Sequence, residues 1–269
     1  MEKIIKTLCS KRNTEIPVTV FDSENENPGL VLMVHGFKAE RSEGGRFYEV
    51  AEKLCEEGVN TICMGFPGCD ESKEDFINYS LTNCLDDIQS SYEYMLNTYN
   101  INKDHMGIIG YSMGGRLTSI YQASHPEFKV IGLWAAASYN GFEDGKFLGA
   151  DAKEAEEAAN KDGYYLYHNG FDNTDIKLSK QFVNDFGYDY KPEDLMKEYK
   201  GAAIVCQGNK DESVKPETAD IIKNSLVNAK KVEMLLIDGA NHGFGLWDNH
   251  PEQSKTLVDG TFKFFKENL

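Results

Sequence analysis

Short apolar runs punctuate this chain, and most are followed by a longer stretch with apolar positions at helical spacing. Leu30-Val31-Leu32-Met33-Val34 leads into a segment near 44–57 that reads as a helix. The run 59–64 leads to another near 80–98, where Leu81, Leu85, Ile88, Tyr92 and Met95 recur every three or four residues. The run 106–109 precedes a helix near 114–124, and a strand at 129–134 follows. Strands 202–206 and 232–237 bracket a helix near 216–227, and a last helix fills 251–267. Upstream, strands are predicted near 3–8 and 15–21. In the second, Ile16, Val18 and Val20 alternate with smaller or polar residues, as in a half-exposed antiparallel edge. Residues 22–29 form a polar turn that closes in Pro28-Gly29. This alternation predicts an α/β fold, a doubly wound and mostly parallel sheet.

Residues 139–190 break the pattern. More than sixty residues separate the strands 129–134 and 202–206, where one helix would suffice. The expected organisation is a core of 1–138 and 191–269, with 139–190 as a cap or lid inserted after the sixth strand. Ala150 to Ala159, rich in alanine and acid, reads as a helix within it. Eleven aromatic residues fall in these 52 positions, against 20 in the other 217. Aromatics anchor a small insert well, so packing explains many of them. The surplus points to an apolar pocket for an aromatic or acyl group, with Tyr139, Phe142, Tyr164, Tyr167 and Phe171 as candidate lining.

Charge narrows the partners. Forty-four acidic residues against 28 basic ones give a net charge of −16. That disfavours nucleic acid and anionic membrane surfaces, and solubility is its plain explanation. The six cysteines form no C-x-x-C pair and no Cys/His cluster with zinc spacing, so no metal is expected. The first residues lack the apolar stretch of a signal peptide, and no run approaches the ~20 apolar residues of a membrane span. A cytoplasmic location is the expectation.

The chemistry centres on Gly110-Tyr111-Ser112-Met113-Gly114-Gly115, a Gly-x-Ser-x-Gly turn between a strand and a helix. Such a turn is too sharp for side chains beside the serine and presents its hydroxyl at the end of a sheet. A serine hydroxyl needs a base to take its proton and a third group to orient that base. In hydrolases with this elbow the chain order is Ser, then Asp or Glu, then His. Asp211, in Gly208-Asn209-Lys210-Asp211, and His242, in Gly239-Ala240-Asn241-His242-Gly243, each follow an apolar run. Both therefore read as loop residues at strand C-termini, where α/β sheets build their sites. Asp238 competes with Asp211, but it lies close to His242 in sequence and reads as a turn residue. Solvated loop roles remain the alternative for Asp211 and His242.

A tetrahedral intermediate also needs donors for its oxyanion. The N–H of Met113, next to the nucleophile, is one candidate. The N–H of Phe37, in His35-Gly36-Phe37 after strand 30–34, is the other. His35 reads as structural, because a base there would break the order Ser, Asp, His.

Together HGF, GYSMGG, GNKDESV and GANHGF resemble the α/β-hydrolase fold with an esterase-type site, over nearly the whole chain. Within that superfamily the chain looks most like the compact bacterial feruloyl or cinnamoyl esterases. The resemblance implies a serine esterase that acts on hydroxycinnamate or other small aromatic or acyl esters without a cofactor. Gly65-Phe66-Pro67-Gly68-Cys69-Asp70-Glu71-Ser72 matches only loosely the Gly-x-Gly-x-Ser-like turn such esterases often carry. A peptide or amide hydrolase with the same three residues is the nearest rival. A non-catalytic binder of small ligands on this fold is the reading from another class.

Overall fold

The computed structural model describes residues 1–138, 142, 145–170 and 172–269. Strands β1 (Glu2–Cys9) and β2 (Glu15–Asp22) open the chain, followed by β3 (Gly29–Val34), helix α1 (Arg46–Glu56) and β4 (Val59–Met64). Next come α2 (Leu81–Thr98), β5 (Met106–Tyr111), α3 (Met113–Tyr121) and β6 (Val130–Trp134). Two small hairpins follow, β7 (Lys146–Phe147) with β8 (Ala150–Asp151), then α4 (Ala152–Asp162), then β9 (Tyr164–Asn169) with β10 (Thr174–Ser179). Helix α5 (Lys180–Asn184), a π-helical turn (Asp185–Asp189) and α6 (Pro192–Met196) lead to β11 (Ala202–Gly208). The chain closes with α7 (Glu217–Ser225), β12 (Lys231–Ile237) and α8 (Pro251–Asn268).

Eight strands form one sheet in the order β1-β2-β4-β3-β5-β6-β11-β12. β2 runs antiparallel to both neighbours, and the remaining pairs are parallel. Both faces of β3, β4, β5, β6 and β11 are buried, as helices on either side require, while the edge strand β12 is partly exposed. Leu30, Leu32 and Val34 point into one apolar layer, under α2 and α3. Val31 and Met33 point into the other, under α1 and α8. Within the insert, α4 fits its composition: Asp151 caps it by accepting from Lys153 N and Glu154 N, and Ala152, Ala155 and Ala159 face the core.

One expectation needs correction. β2 is not a half-exposed edge, because β1 pairs along its whole outer side and takes the edge position. Ile16, Val18 and Val20 face one apolar layer as their alternation implies. Thr19 and Phe21, on the opposite face, are buried as well. Thr19 is polar yet satisfied: Arg41 Nε donates to its hydroxyl at 2.9 Å, and Tyr48 Oη lies at 2.9 Å.

Between β6 and β11 the chain is tied to the main sheet's helices. Phe147, Phe182 and Phe186 are fully buried in the layer shared with α2 and α3. Asp185 accepts the N–H of Thr82 at the start of α2, at 2.7 Å. Arg116 of α3, fully buried, donates to the carbonyls of Phe186 at 2.9 Å and Tyr190 at 3.2 Å. Among the described residues no helix is long and apolar enough to cross a membrane.

Candidate active site

β5 ends at Tyr111 and α3 begins at Met113, so Ser112 alone makes the turn between them. Its backbone sits at φ 54 and ψ −115, a conformation that an L-residue holds only when its surroundings enforce it. Close packing enforces it here. A Cβ on Gly110 would come within 2.2 Å of the Gly114 carbonyl oxygen. One on Gly114 would come within 2.0 Å of the Val34 carbonyl oxygen. Only glycine fits at either place, and the second contact seats the first turn of α3 against the end of β3.

Asp211 and His242 follow β11 and β12, at the same end of the sheet. His242 Nε2 lies 3.0 Å from Ser112 Oγ, and His242 Nδ1 lies 2.7 Å from Asp211 Oδ2. Asp211 is 3 % exposed and His242 8 %. The carboxylate is fully occupied: Gln207 Nε2 donates to Oδ2 at 3.0 Å, and the N–H groups of Ser213 and Val214 donate to Oδ1 at 2.9 Å each. A carboxylate held by so many donors is fixed in orientation. It selects the imidazole tautomer with the proton on Nδ1, which leaves Nε2 to accept from serine. Asp238 is turned elsewhere; it accepts from Asn209 Nδ2 at 2.7 Å and braces the two loops.

The loop after β3 runs beside the serine, where a Cβ on Gly36 would lie 3.4 Å from Ser112 Cβ. Among the described residues, neither the Phe37 N–H nor the Met113 N–H has a protein acceptor. Met113 is the first residue of a helix, so its N–H is one of the unpaired donors that carry the positive end of the helix dipole. His35 is fully buried, 4.7 Å from the Phe66 ring, and its Nδ1 lies 2.8 Å from the Gly36 carbonyl oxygen. Burial pushes its imidazole down to about 4. It is therefore neutral near pH 7 and faces its own loop rather than Ser112.

Of the insert's aromatics, Phe182 and Tyr167 reach this loop, their rings 6.0 and 6.3 Å from that of Phe37. Phe142 packs inside the insert, with ring centroids 5.2 Å from Tyr188 and 5.9 Å from Phe147. Tyr164 sits at the base of the β9–β10 hairpin, with Lys177 Nζ 4.6 Å above its ring. Tyr139 and Phe171 lie outside the described residues.

Several neighbours of the site escaped the sequence reading. Tyr111 stacks on His242, and Trp247 tilts against the imidazole at 5.9 Å. Glu43 Oε1 accepts the Gly36 N–H at 2.6 Å. Its carboxyl is pushed up to about 7 by burial, against the pull of the Gly36 N–H and Arg46. Gln207, four residues before Asp211, and Tyr111, beside Ser112, were visible by position. Glu43 lies in a polar stretch, and nothing in its neighbours signals that it is buried. Among the described residues no group of His, Cys, Asp and Glu side chains is arranged to hold a metal ion.

Residues 47–269 match the model of the prolyl oligopeptidase family. Among solved structures, the chain resembles Est1E from Butyrivibrio proteoclasticus with ferulic acid bound, at 19 % identity and a TM-score of 0.77, covering 98 % of this chain and 99 % of that one. It resembles a putative hydrolase from Agrobacterium vitis at 13 % identity and a TM-score of 0.78, covering 98 % and 100 %. An esterase from Pyrococcus furiosus matches at 16 % identity and a TM-score of 0.68, covering 98 % and 92 %. These likenesses show the α/β-hydrolase fold. Among curated proteins, a monoacylglycerol lipase from Xenopus laevis is 27 % identical over 101 residues, which are 37 % of this chain and 28 % of that protein. The match thus spans little more than a quarter of that relative's length.

Proposed function

The chain belongs to the prolyl oligopeptidase family, and from that premise we propose that it is a serine hydrolase that cleaves carboxylic esters through an acyl-enzyme. The observation that carries this reading is the unbroken contact from Ser112 Oγ through His242 to Asp211, at 3.0 and 2.7 Å. Ser112 attacks the ester carbonyl while His242 Nε2 takes its proton. The developing oxyanion takes the N–H groups of Phe37 and Met113. His242 then protonates the leaving alcohol, and a water activated by the same nitrogen releases the acid. Asp211 holds the tautomer and stabilises the imidazolium.

For the acyl group we favour hydroxycinnamates or similar small aromatic acids, with residues 139–190 as a cap over the site. The Phe37 ring supports this: it packs edge-on to Phe76 and Tyr79, with centroids 5.4 and 5.5 Å away, and Tyr167 adds a wall from the insert. The ferulic acid bound in Est1E supports it from outside. The free thiols, five of six buried, fit the reducing cytoplasm.

The test is a panel of methyl ferulate, methyl p-coumarate and p-nitrophenyl acetate, butyrate and octanoate. Higher kcat/KM on the hydroxycinnamates is expected. Turnover of short nitrophenyl esters alone would remove the aromatic acyl pocket and leave the hydrolase. The family's name favours a second reading, a small-peptide or amide hydrolase with the same three residues. Matched ester and amide substrates separate the two: faster amide cleavage would replace the esterase reading.

A further inference from the structure

Glu43 has no place in the proton path, yet it is 4 % exposed and touches the oxyanion loop. Its backbone sits at φ 50, another conformation that needs enforcement. Its Oε1 accepts the Gly36 N–H at 2.6 Å, and its Oε2 faces Arg46 Nη2 at 3.7 Å. Arg46 is 2 % exposed. Its Nε donates back to the Glu43 carbonyl at 2.9 Å, and its Nη1 donates to the Gly243 carbonyl at 2.7 Å. Its guanidinium carbon lies 5.2 Å from the centre of the Tyr111 ring, whose hydroxyl holds the His242 carbonyl at 2.6 Å. One buried ion pair thus reaches the oxyanion loop on one side and the histidine loop on the other.

Burying two charges is expensive, and an apolar pair of similar volume is often at least as stable. Geometry gives this pair a purpose. Gly36 is the hinge of the oxyanion loop, and the peptide that follows it carries the Phe37 N–H. The carbonyl of that peptide takes His35 Nδ1, and the amide before it is held by Glu43. With both sides of Gly36 fixed, the Phe37 N–H has one direction.

We propose that Glu43 is a positioning residue: it locks Gly36 so that the Phe37 N–H is aimed at the oxyanion, and Arg46 couples that lock to the His242 loop. The inference rests on the acyl-enzyme reading of the site.

The test compares Glu43→Ala, Glu43→Gln and Ser112→Ala with wild type on p-nitrophenyl butyrate, with inhibition by a trifluoromethyl ketone that forms a tetrahedral adduct. Loss of an oxyanion donor typically lowers kcat by about 10²–10³. Glu43→Ala misaligns one donor, so kcat should fall by at least about tenfold while KM stays within about twofold. Ketone affinity should weaken by the same factor as kcat/KM. Glu43→Gln keeps an acceptor for Gly36 and should recover kcat to within about threefold of wild type.

A folded Glu43→Ala enzyme with wild-type kcat overturns the proposal, and so does a Glu43→Gln enzyme as slow as Glu43→Ala. If Glu43→Ala does not fold, Glu43→Asp decides, since it withdraws the carboxylate by one methylene. A lowered kcat at constant KM supports the proposal, and wild-type kcat overturns it. Ser112→Ala separates the two levels. If it keeps activity, the acyl-enzyme reading itself has failed; if it is dead while the Glu43 variants are normal, only the positioning role has.

Discussion

Tyr111 lies stacked on His242, ring centroids 5.1 Å apart at 27°, and donates its hydroxyl to the His242 carbonyl at 2.6 Å. The residue before Ser112 therefore holds His242 twice, by face and by backbone. Tyr111→Phe keeps the stack and leaves the carbonyl without its donor. An orphaned buried acceptor costs about 1–3 kcal/mol, so Tm should fall by several degrees. A looser imidazole should also lower kcat several-fold with KM little changed. Differential scanning calorimetry and initial rates check both, and an unchanged Tm would contradict the bond's importance.

Asp211→Asn tests the tautomer argument. The carboxylate accepts from four donors. An amide must turn its own N–H toward one of these donor pairs. If it faces His242, the imidazole proton moves to Nε2, which can no longer accept from Ser112. A loss of kcat on the order of 10³–10⁴ is expected. A loss below about tenfold would mean that Asp211 does not orient the base.

The buried pair of titrating groups beside the serine makes opposite demands on pH. His35 is pushed from 6.5 down to about 4 by burial, and Glu43 from 4.5 up to about 7. For His35, the unfolded chain binds the extra proton between those values, so stability is lost as pH falls through about 6.5 toward 4. For Glu43, the folded chain holds the extra proton, so stability is full below 4.5 and lost as pH rises toward about 7. Each effect amounts to about 2–3 kcal/mol between pH 7 and 5, and the two nearly cancel. On acidification across that range, His35→Gln should lose less Tm than wild type and Glu43→Gln should lose more. Variants that track wild type at both pH values would contradict these shifts.

Much of this site was legible in the chain because its geometry is local. Glycines around Ser112 announce a turn that admits no side chain, and apolar runs before Asp211 and His242 put both at strand ends. The parallel order of the sheet follows from the same alternation. What could not be read depends on contacts between distant segments. Whether β2 is an edge is decided by β1 and by Arg41 and Tyr48 covering Thr19, none of which alters the alternation within β2 itself. Glu43 and Arg46 look like ordinary surface charges until the loops after β3 and β12 close over them. The aromatic richness of the insert was visible, but where each ring packs was not: Phe142 turned inward to Tyr188 and Phe147, while Tyr167 and Phe182 reached Phe37.

The most direct test of the central claim is covalent capture of the nucleophile. Wild type and Ser112→Ala would be treated with a fluorophosphonate, weighed intact and mapped by peptide mass, with turnover of p-nitrophenyl butyrate followed in parallel. One adduct per chain, on Ser112, should form as activity disappears. Ser112→Ala should take no adduct and lose kcat by a factor on the order of 10⁴ or more. An adduct on another residue, or a Ser112→Ala enzyme with more than about a tenth of wild-type turnover, would contradict the account.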